Sequence, residues 1–241
     1  RSMAKADKEG GVQHMKSIAL IHTVKSLATS FDEKLRKSLK KDVKIYNLWD
    51  DFLAINPNEI GRFTVENRNR LLLDIKAQEM TGADLIVTTC STLTPVVEMI
   101  RPLIQTPIIA IDDAMAKQCA ELAGNVLVIA TAESTLVPTV SKIRFEAEAR
   151  NKRTDQPRPY TIETCLCREA FEALQHMDME THDKLIKEKA WELKGYDCIV
   201  LAQASMAHLE KSIARITGCP TLSSPGLCIQ EIKEKLEDLK S

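Results

Sequence analysis

No run in this chain approaches the ~18 consecutive apolar residues that a membrane-spanning helix needs, so no span is expected. Charge of one sign is missing too. Thirty-three Lys and Arg stand against 34 Asp and Glu, a formal net charge of −1, and no basic stripe marks a nucleic-acid surface. The richest basic run, Lys34 to Lys44, is interleaved with Leu35, Leu39 and Val43, which reads as the solvated face of an amphipathic helix. Phosphate loops are lacking: no G-x-G-x-x-G follows Ile21 or Ile129, and no G-x-x-x-x-G-K-[ST] occurs. That sets aside a nucleotide-binding oxidoreductase and a P-loop enzyme. The seven cysteines form no evident disulfide framework, which fits a reducing cytoplasm. Cys165-x-Cys167 lacks the spacing and second pair of a zinc site, and His176 and His182 are too far apart to share a helix face, so no metal is expected. Cys119, Cys198 and Cys228 fall at apolar positions and read as buried fillers.

What is present is an ordinary globular composition, 44% apolar and 28% charged, over 241 residues, enough for one large or two small domains. Residues 1–14 are polar and lack an apolar h-region; they are expected to be a cloning remnant or disordered arm rather than a secretory signal, with Met15 a candidate start. Short apolar runs alternate with helical patterns thereafter. Ile18–Ile21 leads into His22-Thr23, then Leu27, Phe31, Leu35 and Leu39 repeat on one helix face, and Val43–Tyr46 reads as the next strand. Asn56-Pro57-Asn58 reads as a loop before a helix from about Arg68 to Met80, and Thr94-Pro95 as the N-cap and first residue of another. The alternation predicts parallel sheets with helices on both faces.

The most informative feature is a duplication. Gly82-Ala-Asp84-Leu-Ile-Val-Thr-Thr-Cys90-Ser91-Thr92 and Gly195-Tyr-Asp197-Cys-Ile-Val-Leu-Ala-Gln203-Ala-Ser205 read as copies 113 residues apart, and Pro107 and Pro220 keep the same offset. Thr131, closing the run Val126–Ala130, answers Thr23 at an offset of 108. This predicts an α/β fold of two similar lobes related by a pseudo-twofold axis, with the site between them. Lobe 1 is expected to comprise 15–112 plus 225–241, and lobe 2 to comprise 113–224. In such sheets ligands meet the turns after the strands, and here one turn carries a thiol and the other an amide. Cys90 lies between an apolar strand and a helix start whose N–H groups favour a thiolate.

Cys90-Ser91-Thr92, the duplicated architecture and the strand-end residues His22-Thr23 and Thr131 resemble the aspartate/glutamate racemase superfamily. That group includes glutamate, aspartate and hydantoin racemases, maleate isomerase and arylmalonate decarboxylase, and the resemblance covers the chain after Met15. It implies a cytoplasmic isomerase of amino-acid metabolism acting on a small carboxylate or amino-acid substrate, without cofactor or metal. In the racemases two cysteines flank the substrate and exchange its α-proton. Cys90 matches the first, whereas the second falls on Gln203, which carries no exchangeable proton near neutral pH.

The resemblance implies Cys90 as the acid/base. It also implies His22, Thr23, Ser91, Thr92, Thr131, Ser134, Gln203 and Ser205 as substrate-binding residues that hold carboxylate oxygens and an enolate-like intermediate. The alternatives are a one-base decarboxylase or isomerase of the same group, and a non-catalytic descendant that binds small acids. Association into a homo-oligomer is left open.

Overall fold

The computed structural model describes residues 15–39, 42–122 and 124–239; the expectation for residues 1–14 lies outside them. The first lobe runs β1 (Ser17–His22), α1 (Lys25–Ser38), β2 (Lys44–Trp49), α2 (Phe52–Ile60), α3 (Val65–Glu79), β3 (Leu85–Thr88), α4 (Thr94–Ile100) and β4 (Ile108–Ala110). The second runs α5 (Asp113–Leu122), β5 (Asn125–Ala130), α6 (Glu133–Lys152), β6 (Thr161–Leu166), α7 (Arg168–Gln175), α8 (Met179–Trp191), β7 (Cys198–Leu201), α9 (Glu210–Thr217) and β8 (Thr221–Ser223), with α10 (Ser224–Asp238) closing the chain. The strands form two parallel four-stranded sheets of matching order, β2-β1-β3-β4 and β6-β5-β7-β8. Helices cover both faces of each, as the near-continuous apolar strands require. None of the described helices is long and apolar enough to cross a membrane.

The duplication extends to individual hydrogen bonds. Asp84 Oδ2 accepts from the backbone N–H of Ser17 at 2.7 Å, pinning β3 to the start of β1. Its counterpart Asp197 Oδ2 accepts from Gly124 and Asn125 N–H at 3.0 and 2.7 Å, pinning β7 to β5. Gly82 and Gly195, two residues before each aspartate, both sit at positive φ (74° and 86°), which a side chain adopts only at a cost. Two glycines thus turn the chain into two equivalent strands.

Packing crosses between the halves. Cys228, Ile229, Ile232 and Leu236 of α10 join Phe31 and Leu35 of α1 over one face of the first sheet. Met115, Ala116 and Cys119 of α5 join Ile143 of α6 over the second. Helices α5 and α10 pack on each other, and α4 packs on α6. Burial at ~25 cal/mol per Å² of apolar surface is what holds these layers.

Two local expectations give way. Asn56-Pro57-Asn58 lies inside α2, not in a loop: Leu53 and Pro57, one turn apart, are the residues that helix buries, and Gly61 in the left-handed region ends it. Tertiary burial outweighs the missing proline N–H. Thr94 is the first residue of α4 rather than its cap, because a 3-10 turn, Ser91–Leu93, precedes it and Leu93 takes the capping position.

Candidate active site

β3 is buried throughout and delivers Cys90, in extended conformation (φ −131°, ψ 125°), to the entry of the Ser91–Leu93 turn. β7 delivers Gln203 in nearly the same conformation (φ −131°, ψ 139°) to the entry of the 3-10 turn Ala204–Leu209. The backbone is repeated and only the side chain differs. Cys90 is half-buried, and the turn after it packs on α6, the helix that follows Thr131 in the second lobe.

The amide of Gln203 is already engaged. Its Oε1 accepts from Thr131 N–H at 2.6 Å, from the Thr131 hydroxyl at 2.9 Å and from Ala132 N–H at 3.2 Å. Two backbone donors fix which end of the carboxamide is oxygen. Gln203 therefore ties the β7 turn to the β5 turn within one lobe, and only its Nε2 group is left without a partner among the described residues. Thr131 is likewise committed to Gln203.

The equivalent corner of the first lobe has no such acceptor among the described residues. Val24 (φ −124°, ψ 122°) repeats the backbone of Ala132 (φ −114°, ψ 134°). Thr23 is 3% exposed, and its hydroxyl oxygen is buried with no partner. Cys90, standing where Gln203 stands, has no carboxamide oxygen to place there. Thr23 N–H, Val24 N–H and the Thr23 hydroxyl thus form an unfilled counterpart of the three-donor cradle. A buried polar atom without a partner is costly, and a carboxylate oxygen is the acceptor such donors suit.

His22 is enclosed by its own lobe. It is fully buried, with Nδ1 2.7 Å from the Thr89 hydroxyl and Nε2 2.9 Å from Asn47 Oδ1. Asn47 Nδ2 donates to Asp32 at 3.3 Å, which turns its oxygen to the ring and sets the proton on Nε2. Burial holds the imidazole below its usual pKa, against the opposing effects of Asn47 and Asp32. His22 thus fixes the first lobe's turns: both ring nitrogens of this residue, expected to bind substrate, are taken by Thr89 and Asn47. Across the repeat Ala130 answers His22 and Ala202 answers Thr89; both are apolar, and Gln203 does the tying there.

Ser91 is also committed. Its hydroxyl donates to Asp112 Oδ1 at 3.1 Å, and Thr94 Oγ1 donates to Oδ2 at 3.4 Å. The hydroxyl of Ser224, at the start of α10, bonds the same carboxyl. Complete burial raises the Asp112 pKa to about 6; these hydroxyls oppose the rise and the charge of Asp113 adds to it. Thr92 is half-buried with a free hydroxyl among the described residues, and Ser134 lies exposed in the first turn of α6. Ser205 has a buried, unpartnered hydroxyl oxygen.

Three groups of residues escaped the sequence reading. Asp112 had no motif to mark it. Asp183 of α8 accepts from His182 at 2.8 Å and from His208, on the turn that follows Gln203, at 2.7 Å. Lys142 of α6, its side chain 4% exposed, meets Glu98 at 2.5 Å, Asp113 at 2.8 Å and Glu146 at 2.9 Å. Burial opposes its charge, but the carboxylates, Asp113 foremost, hold its pKa above the ordinary lysine value. Arg101 joins the network through Asp113 at 2.8 Å. These contacts clamp α4 and α5 to α6 behind the Cys90 turn. Among the described residues, no three His, Cys, Asp or Glu side chains gather as a metal site.

The family model for Asp/Glu/Hydantoin racemase matches residues 25–232. A glutamate racemase from Bacillus anthracis superposes with a TM-score of 0.65 at 15% identity, over 92% of this chain and 82% of its own. The Picrophilus torridus aspartate racemase gives 0.60 at 18% identity, over 91% and 94%. The allantoin racemase from Klebsiella pneumoniae gives 0.58 at 16%, over 92% and 88%. No protein of curated function matches the sequence. Identities this low carry the fold, not the substrate.

Proposed function

The chain belongs to the Asp/Glu/hydantoin racemase family, and from that premise we propose that it transfers a proton at the α-carbon of a small carboxylic or amino acid, with Cys90 as the acid/base. The observation that carries this reading is the buried, unpartnered Thr23 hydroxyl beside Val24 in the lobe that holds Cys90. A substrate carboxylate oxygen accepts from Thr23 N–H, Val24 N–H and the Thr23 hydroxyl. The Cys90 thiolate takes the α-proton: the S–H bond forms as the C–H bond breaks, and its electron pair moves into the carboxylate as an enolate-like dianion. Donors already in position stabilise that charge without reorganising. The reverse step returns the proton from sulfur to carbon. Thr92 lies within the same turn as a further donor.

Gln203 favours a second, narrower reading within the same chemistry. It has no proton to give, and its oxygen is tied to Thr131. A one-base reaction, either decarboxylation or isomerisation that uses one face of the intermediate, accords with that asymmetry.

The test is thiol reactivity combined with turnover. Cys90 should alkylate with iodoacetamide and be protected by small carboxylates, whereas Cys165, whose pKa the hydrogen bond from Cys167 lowers to about 7, should alkylate without that protection. Cys90→Ser should remain folded while turnover falls by a factor on the order of 10² or more. An unreactive Cys90 with no turnover of aspartate, glutamate, hydantoins, maleate or malonates would indicate a non-catalytic acid binder instead.

A further inference from the structure

The two lobes carry the same three-donor device at the ends of β1 and β5, and they differ in what fills it. In lobe 2 the acceptor is built in: Gln203 Oε1 takes Thr131 N–H, Thr131 Oγ1 and Ala132 N–H at 2.6, 2.9 and 3.2 Å. In lobe 1 the Thr23 hydroxyl oxygen is buried without a partner, because Cys90 replaces the glutamine. Two peptide N–H groups and a hydroxyl converging on one oxygen at the N-terminus of a 20-residue helix, α6, form a strong anion cradle. Among the described residues, only the lobe 1 counterpart lacks an acceptor supplied by the chain itself.

We propose that Gln203 is a specificity-determining residue that fills the second carboxylate cradle from within. The substrate is then a monocarboxylate whose other end is a neutral carbonyl group, such as an amide or ureide, rather than a dicarboxylate. The physical reason is competition. The carboxamide oxygen is held beside its donors by the chain, so a ligand carboxylate must displace it and shed its own hydration. With its oxygen held, Gln203 has its Nε2 group left over, a donor suited to a neutral carbonyl oxygen. Dicarboxylates are thereby disfavoured without any repulsive charge. This inference rests on the reading of Cys90 and Thr23 as the substrate site.

The experiment is calorimetric titration of the full chain with two matched pairs: malonate against malonamate, and succinate against succinamate. Each pair differs only in one carboxylate replaced by an amide. The wild-type protein should bind each monoamide at least as tightly as its diacid. Gln203→Ala vacates the cradle and should shift the preference toward the diacid by about tenfold or more, the scale of one charged hydrogen-bonding contact. Gln203→Glu keeps an acceptor oxygen in the cradle but removes the Nε2 donor, so it should still disfavour the diacid while binding the monoamide more weakly than wild type does; a diacid preference in this variant would overturn the proposal. A wild-type preference of tenfold for the diacids would overturn the proposal on its own, even if Gln203→Ala failed to fold. Equal preferences in wild type and Gln203→Ala would overturn it too, while leaving the Cys90 site intact. If none of the four ligands bound any variant or slowed alkylation of Cys90, the site reading itself would fall and the proposal with it.

Discussion

The carboxamide oxygen of Gln203 lies 2.6 Å from the backbone nitrogen of Thr131, 72 residues earlier in the chain. That contact separates two threonines that occupy equivalent strand ends. Thr131 holds its own lobe together, whereas Thr23 has a buried hydroxyl oxygen and nothing to bond it.

The two should therefore respond differently to the same change. Thr23→Val should weaken binding of a small carboxylate by about 1.5–3 kcal/mol, the worth of a hydrogen bond to a charged group, with little change in stability. Thr131→Val should instead lower stability and loosen Gln203. Parallel titrations and urea melts check this; equal effects of both variants on binding would contradict it.

Asp112 makes a pH prediction. Its pKa is raised from 3.8 to about 6 in the folded protein. Between those values the native state holds a proton that the unfolded chain has lost, so stability falls as pH rises through the window. A shift of this size is worth about 3 kcal/mol. Asp112→Asn removes that slope, so the variant should gain on wild type as pH goes from about 4 to about 7. Urea unfolding at the two pH values measures the difference, and parallel curves would rule the argument out.

Lys142 should be the least replaceable charge in the scaffold. Lys142→Met leaves buried Asp113 and half-buried Glu98 with Arg101 as their one remaining shared cation among the described residues, and a broken buried pair costs about 3–5 kcal/mol. Glu98→Gln added to Lys142→Met should recover part of it. A loss below about 1 kcal/mol would mean that water reaches the network and screens it.

Much of this architecture was readable from the sequence because it is periodic or repeated. The offset of 113 residues fixed the correspondence of β3 with β7 and of Cys90 with Gln203, and the alternation of apolar runs with helical patterns fixed the layers. What escaped reading depends on partners far apart in the chain. Nothing local in Gln203-Ala204-Ser205 shows that the amide turns to Thr131. Nothing in His22-Thr23 shows that the histidine is enclosed by Thr89 and Asn47 while the threonine is not. Asp112 and Lys142 acquire their roles only when α4, α6 and α10 come together. The proline in α2 was a turn signal that burial of Leu53 and Pro57 overrode.

The central claim, a single proton carrier at Cys90 opposite an amide that cannot replace it, is tested most directly by running the reaction in deuterated water and recording deuterium incorporation and product chirality. The account predicts deuterium at the α-carbon delivered from one face, so that the product is one enantiomer or an achiral acid. Gln203→Cys should add incorporation from the second face. Interconversion of both enantiomers by the wild-type protein at comparable rates would contradict it and would turn attention to Ser205 and to His208, hydrogen-bonded to Asp183, as the second proton donor.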